Sequence, residues 1–224
     1  MMNWFEPVDI YCERLTALFW AEPINAASNI SFVLAALIAL FTLHRLGRKA
    51  TGLEVALITL AAAIGVGSFL FHTFANRWSE WADTIPIWGF VGLYIFASMT
   101  ESGTKSMRFK AIAGTLITAG VVWVLLQSAN GESGVTNAVD PLNGSGQYAP
   151  ALIALICVSG LTWIKRHPGR YYYIGATWAF IVSLGFRTFD ISFCDAWPIG
   201  THFVWHLTNG LMIGLLLQAY IRRR

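Results

Sequence analysis

The chain has 224 residues, 56% of them hydrophobic and only 12% charged, with a mean hydropathy of +0.57 and a net charge of +3. An ordinary water-soluble globule carries about 25% charged residues, so that class is excluded. The small basic surplus follows the loops, as shown next, and is no footprint of nucleic acid.

Residues 1–24 form an acidic segment expected outside the membrane. Seven apolar runs follow, near 25–43, 53–74, 84–100, 109–127, 148–165, 171–188 and 201–220. Each approaches the ~20 residues a helix needs to cross a bilayer. Arg45, Arg48 and Lys49 follow the first run, and Lys105, Arg108 and Lys110 the third. Lys165, Arg166 and Arg170 follow the fifth, and Arg222, Arg223 and Arg224 the seventh. The other loops hold Arg14, Arg77, Arg187 and every acid except Glu54 and Glu101. The positive-inside rule then puts the N-terminus outside and the C-terminus in the cytoplasm. The expected architecture is an all-α membrane protein, one seven-transmembrane helix bundle over 1–224, multi-pass in the cell (inner) membrane. The stretch 128–147, rich in Gly, Asn and Ser, reads as a mobile outside loop. Trp20, Trp163, Trp197 and Tyr171 stand near run ends as interfacial anchors. Gly67 and Gly210 are among the glycines that allow close helix approach. Cys157 falls mid-span and reads as packing.

Three histidines lie in or beside these runs, all at the outer end under that orientation. His202 and His206 are i, i+4 on one helix face, the separation that lets two imidazoles hold one ion. His72 adds a third ligand from another helix. Three protein ligands leave one coordination position open, the signature of catalytic zinc. Zinc in such a site lowers the pKa of a water to about 7. Asp83 is placed to take that water's proton as general base and deliver it to a leaving amine. Ser68, one turn before His72, faces the same way and can assist an oxyanion. Asp83 also suits a plain N-cap before Thr84 and Pro86, and Ser68 can bond back to its own helix. Asp190 and Asp195 read as solvated loop acids. His44 and His167 fall at the cytoplasmic end.

Gly-Val-Gly-Ser-Phe-Leu-Phe-His at 65–72, Asp83 with Pro86, and Thr-His-Phe-Val-Trp-His at 201–206 resemble, in order, three blocks of the alkaline ceramidase family. That family belongs to a wider group of seven-span hydrolases that includes the adiponectin receptors. The resemblance implies an amidase that cleaves ceramide to a sphingoid base and a fatty acid. It implies zinc on His72, His202 and His206, with Asp83 and Ser68 at the reacting centre. The N-terminal segment resembles the family as well, in Asp-Ile-Tyr-Cys-Glu-Arg at 9–14 and Ala-Glu-Pro-Ile-Asn-Ala-Ala-Ser-Asn at 21–29. There the resemblance implies calcium on Asp9, Glu13 and Glu22, although Leu15 stands where a further family ligand is an Asn. It also favours a disulfide between Cys12 and Cys194, two cysteines that both map outside.

Other functions remain open to the sequence. One is a seven-helix receptor or sensor with structural zinc. Another is a hydrolase of a different lipid amide or ester, since the motif does not choose the bond. A retinal pump is excluded, because no lysine follows Lys165 to form a Schiff base. A transporter also remains open, although no paired broken helices are visible. In the enzyme reading the partners are a lipid substrate from the bilayer and the membrane, with no nucleic acid.

Overall fold

The computed structural model describes residues 3–101 and 142–223. The fourth expected span and residues 128–141 of the expected loop lie outside them. The described residues form one short helix, α1 (Pro23–Ser28), and six of 16 residues or more: α2 (Ile30–Arg45), α3 (Gly52–Phe74), α4 (Arg77–Glu101), α5 (Ala149–Ile164), α6 (Arg170–Phe189) and α7 (His202–Ile221). Among them there is no sheet, only an isolated bridge between Pro7 and Asn76. Four segments are long and apolar enough to cross a membrane: Pro23–Arg45, Gly52–Phe74, Ser145–Ile164 and His202–Ile221. The other two long helices, α4 and α6, are long enough to cross but more polar.

Helix α7 packs between α6 and α2, and α3 between α4 and α2. Large apolar side chains such as Leu37, Phe41, Val66, Ile153 and Trp178 face outward, the surface expected where lipid replaces water. Trp20, Trp163, Trp197 and Tyr171 are exposed at element ends, as anchors require. Cys157 is exposed as well, and so is not a packing residue.

Helix α4 begins two turns earlier than the apolar run, because its first turns are polar and find their own partners. Asn76 caps them, its Oδ1 accepting from the Ser79 N–H at 3.2 Å. The Arg77 and Trp78 N–H groups donate to the Glu6 and Trp4 carbonyls at 3.1 Å each. Asp83 is therefore inside a helix, and the N-cap alternative falls. Pro86 has no N–H for the Ala82 carbonyl four residues back. That carbonyl points at Gly67 on α3, where any β-carbon would collide with it. A proline and a glycine thus bring α3 and α4 to backbone contact, setting Ser68 beside Asp83. Gly210 plays the same part against Ser31, joining α7 to α2.

The end of the bundle away from the histidines is tied by Glu54. It closes a capping box with Thr51 and accepts from Arg48 at 2.7 Å and Arg223 at 3.0 Å. At the histidine end, Cys12 and Cys194 are joined in a disulfide across a sequence separation of 182. Its loss in Cys12→Ser is expected to cost about 2–5 kcal/mol, the usual range for a native disulfide. A thermal melt of the detergent-purified variant checks this; an unchanged melting temperature would mean that the bond contributes nothing. The described tail of the expected mobile loop is folded. Ser145–Tyr148 is a 3-10 turn, and Asn143 donates to the Arg187 carbonyl at 2.9 Å.

Candidate metal centre

His72 lies in the last turn of α3, and His202 and His206 open α7. All three are buried, and one ligand nitrogen from each falls within 4.8 Å of the others. His44 and His167 are not part of this group. The i, i+4 pair has ring centroids 4.5 Å apart, and the His72 ring stands 4.7 Å from His206 and 5.2 Å from His202.

Hydrogen bonds decide which nitrogens face inward. Glu22 Oε2 lies 2.5 Å from His72 Nδ1. Burial pushes the Glu22 carboxyl up, but the bond and charge of His72, the Asn25 amide and the Arg14 guanidinium together hold it below its usual range. An ionised Glu22 only accepts, so Nδ1 of His72 donates to it, and Nε2 is the atom left to serve as a metal ligand. Ser28 spends its one hydroxyl proton on the Asn25 carbonyl at 2.7 Å. Its oxygen, 2.7 Å from His206 Nδ1, must therefore accept, and His206 Nε2 also keeps its lone pair. The two Nε2 atoms then face each other at 3.1 Å. Two imidazole nitrogens at that separation can both reach one cation, each giving it a lone pair. His202 Nδ1 is buried with no hydrogen-bond partner among the described residues. A buried orphan of this kind marks an absent water or ion. The donor set fits a metal that takes imidazole nitrogen.

Two further orphans border the group. Asp83 Oδ1 and Ser68 Oγ are shielded from solvent and without hydrogen-bond partners among the described residues. They meet across the α3–α4 contact, within electrostatic reach of His72. Unpaired polar atoms beside an open metal position are what a water and a carbonyl substrate would satisfy.

The three acids expected to bind calcium do not converge. Among the described residues only the histidines form a group able to hold a metal. Asp9 is exposed. Both Glu13 oxygens are taken, accepting the Ile24 and Asn25 N–H groups at 2.7 Å each. Burial pushes the Glu13 carboxyl up, although those two N–H bonds oppose it. Glu22 is taken by His72, Asn25 and Arg14. Arg14, 7% exposed, also donates to the His72 carbonyl at 3.1 Å and to the Thr16 carbonyl at 3.2 Å. Glu22 thus has a resident guanidinium and Glu13 two backbone donors in place of an ion, and the three acids as they stand do not fit calcium.

Several supporting groups escape a reading by motif. Asp190, expected to be a solvated loop acid, is fully buried. Its Oδ1 accepts from the N–H groups of Thr201 at 2.6 Å and His202 at 2.9 Å, which caps α7 at its histidine end. Its Oδ2 accepts from the Cys12 N–H at 3.2 Å. The Tyr11 ring stacks on His202 at a centroid distance of 3.6 Å. For Ser28 a signal did exist: Asn25, Ser28 and Asn29 are polar at i, i+3, i+4 where an apolar span begins, the pattern of a buried polar face.

A family model described as Ceramidase matches residues 10–222 of this chain, nearly its whole length. No curated protein matches it.

Proposed function

The chain belongs to the ceramidase family, hydrolases of a lipid amide, and from that premise we propose a zinc-dependent, membrane-embedded amidase acting on ceramide-like lipids. The observation that carries the reading is the convergence of three buried histidines, with Nε2 of His72 and His206 facing each other and His202 alongside. Zinc suits three neutral imidazoles, and when bound it supplies a Lewis acid that polarises a carbonyl and acidifies water.

The chain's own residues do the rest. Asp83 accepts a proton from the attacking water and returns it to the departing amine nitrogen. Ser68 donates its hydroxyl to the oxygen of the amide as charge builds there. Glu22 and Ser28 hold two ligand rings in the tautomer that presents Nε2, and Arg14 adds to the His72 and Asn25 contacts that favour an ionised Glu22. The partly unsatisfied state of Asp83 and Ser68 favours a catalytic over a purely structural metal. In this reading seven helices cross the cell membrane, with the N-terminus and the metal centre towards the outside. Topology reporters at the two chain ends test that orientation, and matching signals from both ends would rule it out.

Metal content and ceramide hydrolysis measured on one detergent-purified sample test the activity, with wild type beside His202→Ala. About one zinc per chain and release of sphingoid base by wild type alone are expected, since three ligands define the site. A metal-free wild type, or equal turnover by a well-folded His202→Ala, overturns the reading.

A further inference from the structure

Arg187, in the last turn of α6, is a buried cation with no role in the chemistry above. It is 7% exposed and forms no ion pair among the described residues. Its Nη1 donates to the Tyr11 hydroxyl at 2.7 Å, while Nε has no partner. The guanidinium carbon sits over the rings of Trp205 at 5.4 Å and of Tyr11 and Tyr148 at 5.6 Å each. This cage abuts the metal centre. The Trp205 ring stacks on His202 at 5.1 Å and the Tyr11 ring covers His202 from another side. Trp88 extends the wall by stacking on Tyr148 at 6.0 Å. The indole N–H groups of Trp88 and Trp205 are also buried without partners among the described residues.

Two unpartnered donors, the charged Arg187 and Trp205, therefore border the three histidines, and Trp88 adds a third one ring further out, across Tyr148. Cation–π contact stabilises a buried guanidinium but leaves its N–H groups unspent. A ligand hydroxyl could give its proton to Asp83 Oδ1 but would bring no charge to the guanidinium. A carboxylate only accepts, with about four lone-pair sites, and carries the opposite charge. We propose that Arg187, Trp88 and Trp205 form an anion subsite that takes the carboxylate of a long-chain lipid beside the metal centre. The carboxylate has two sources, and the proposal rests on the amidase reading only in naming them. One is the released fatty acid; the other is a substrate whose amine portion is itself a carboxylate, as in an N-acyl amino acid.

The test begins with binding, which needs no turnover. Palmitic acid and hexadecanol are titrated against the full detergent-purified chain, read by tryptophan fluorescence, in wild type, Arg187→Gln and Arg187→Lys of equal metal content. Wild type is expected to prefer the acid by at least about tenfold, the size of a charge-assisted hydrogen bond. Arg187→Gln loses that preference and Arg187→Lys keeps part of it. Equal binding of acid and alcohol by wild type overturns the proposal whether or not the variants fold, as does an undiminished preference in a folded Arg187→Gln. Because this step involves no hydrolysis, failure of the amidase reading would leave its result standing. Hydrolysis of N-palmitoyl glycine and N-palmitoyl sphingosine then separates the sources. A larger fall in kcat/KM for the glycine conjugate in Arg187→Gln assigns the carboxylate to the substrate. Equal effects on both, with weaker inhibition by palmitic acid, assign it to the product.

Discussion

Asp83→Asn is expected to lower lipid amide hydrolysis by about three orders of magnitude while leaving the metal in place, within the 10²–10⁴ that a positioned acid–base group contributes. The side chain keeps its shape and loses only its ability to carry a proton between water and amine. It lies outside the three-histidine group, so metal content should match wild type. Asp83 Oδ1 has no hydrogen-bond partner among the described residues, and the neighbouring Ser68 hydroxyl can donate to an amide oxygen as it can to a carboxylate. Turnover within tenfold of wild type, at full metal occupancy, would remove Asp83 from the reaction.

The second large effect is expected at Arg14→Gln. Removing the guanidinium leaves Glu22 buried with less compensation, a situation that costs about 3–5 kcal/mol when one partner of a buried pair is lost. The disturbance passes directly to His72, through Glu22 on its ring and through its own carbonyl. Zinc affinity should fall by about 10–100-fold, the usual consequence of losing a group that orients a ligand. Arg14→Lys, which keeps the charge but not the fork, should fall between. Since Arg14 already pairs with Glu22 and backbone donors occupy Glu13, adding or depleting calcium at fixed free zinc should leave the wild-type rate unchanged. A calcium requirement in wild type would show that Asp9, Glu13 and Glu22 regroup around an ion. Equilibrium competition with a zinc chelator and rate measurements in calcium-buffered detergent cover both points.

The helices were legible because lipid imposes one composition on any segment that crosses it, and the long runs stand out in the chain. Segments α4 and α6 were harder, since their polar turns dilute the signal; the first turns of α4 are held by Trp4 and Glu6, which no helix periodicity reveals. The histidines were legible because His202 and His206 obey helix geometry and His72 shares their end of the bundle under a rule about charges. What holds them was not. Ser28 reaches His206 across 178 positions, and Asp190 joins Cys12 across the same distance in the opposite half of the chain. Contacts of that range exist only once the helices have packed. The acids near the N-terminus did not reveal their partners in the sequence, because a metal and an arginine both satisfy a carboxylate. Only geometry separates them.

The metal ligands come from opposite ends of the chain: His72 and His206 are 134 residues apart, and α7 is the last helix, of 20 residues. During synthesis, which proceeds from the N-terminus, the half-site of Glu22, Ser28 and His72 is made early and waits. In the amidase reading, hydrolytic competence arrives only with α7, because a chain stalled before it lacks two of the three histidines.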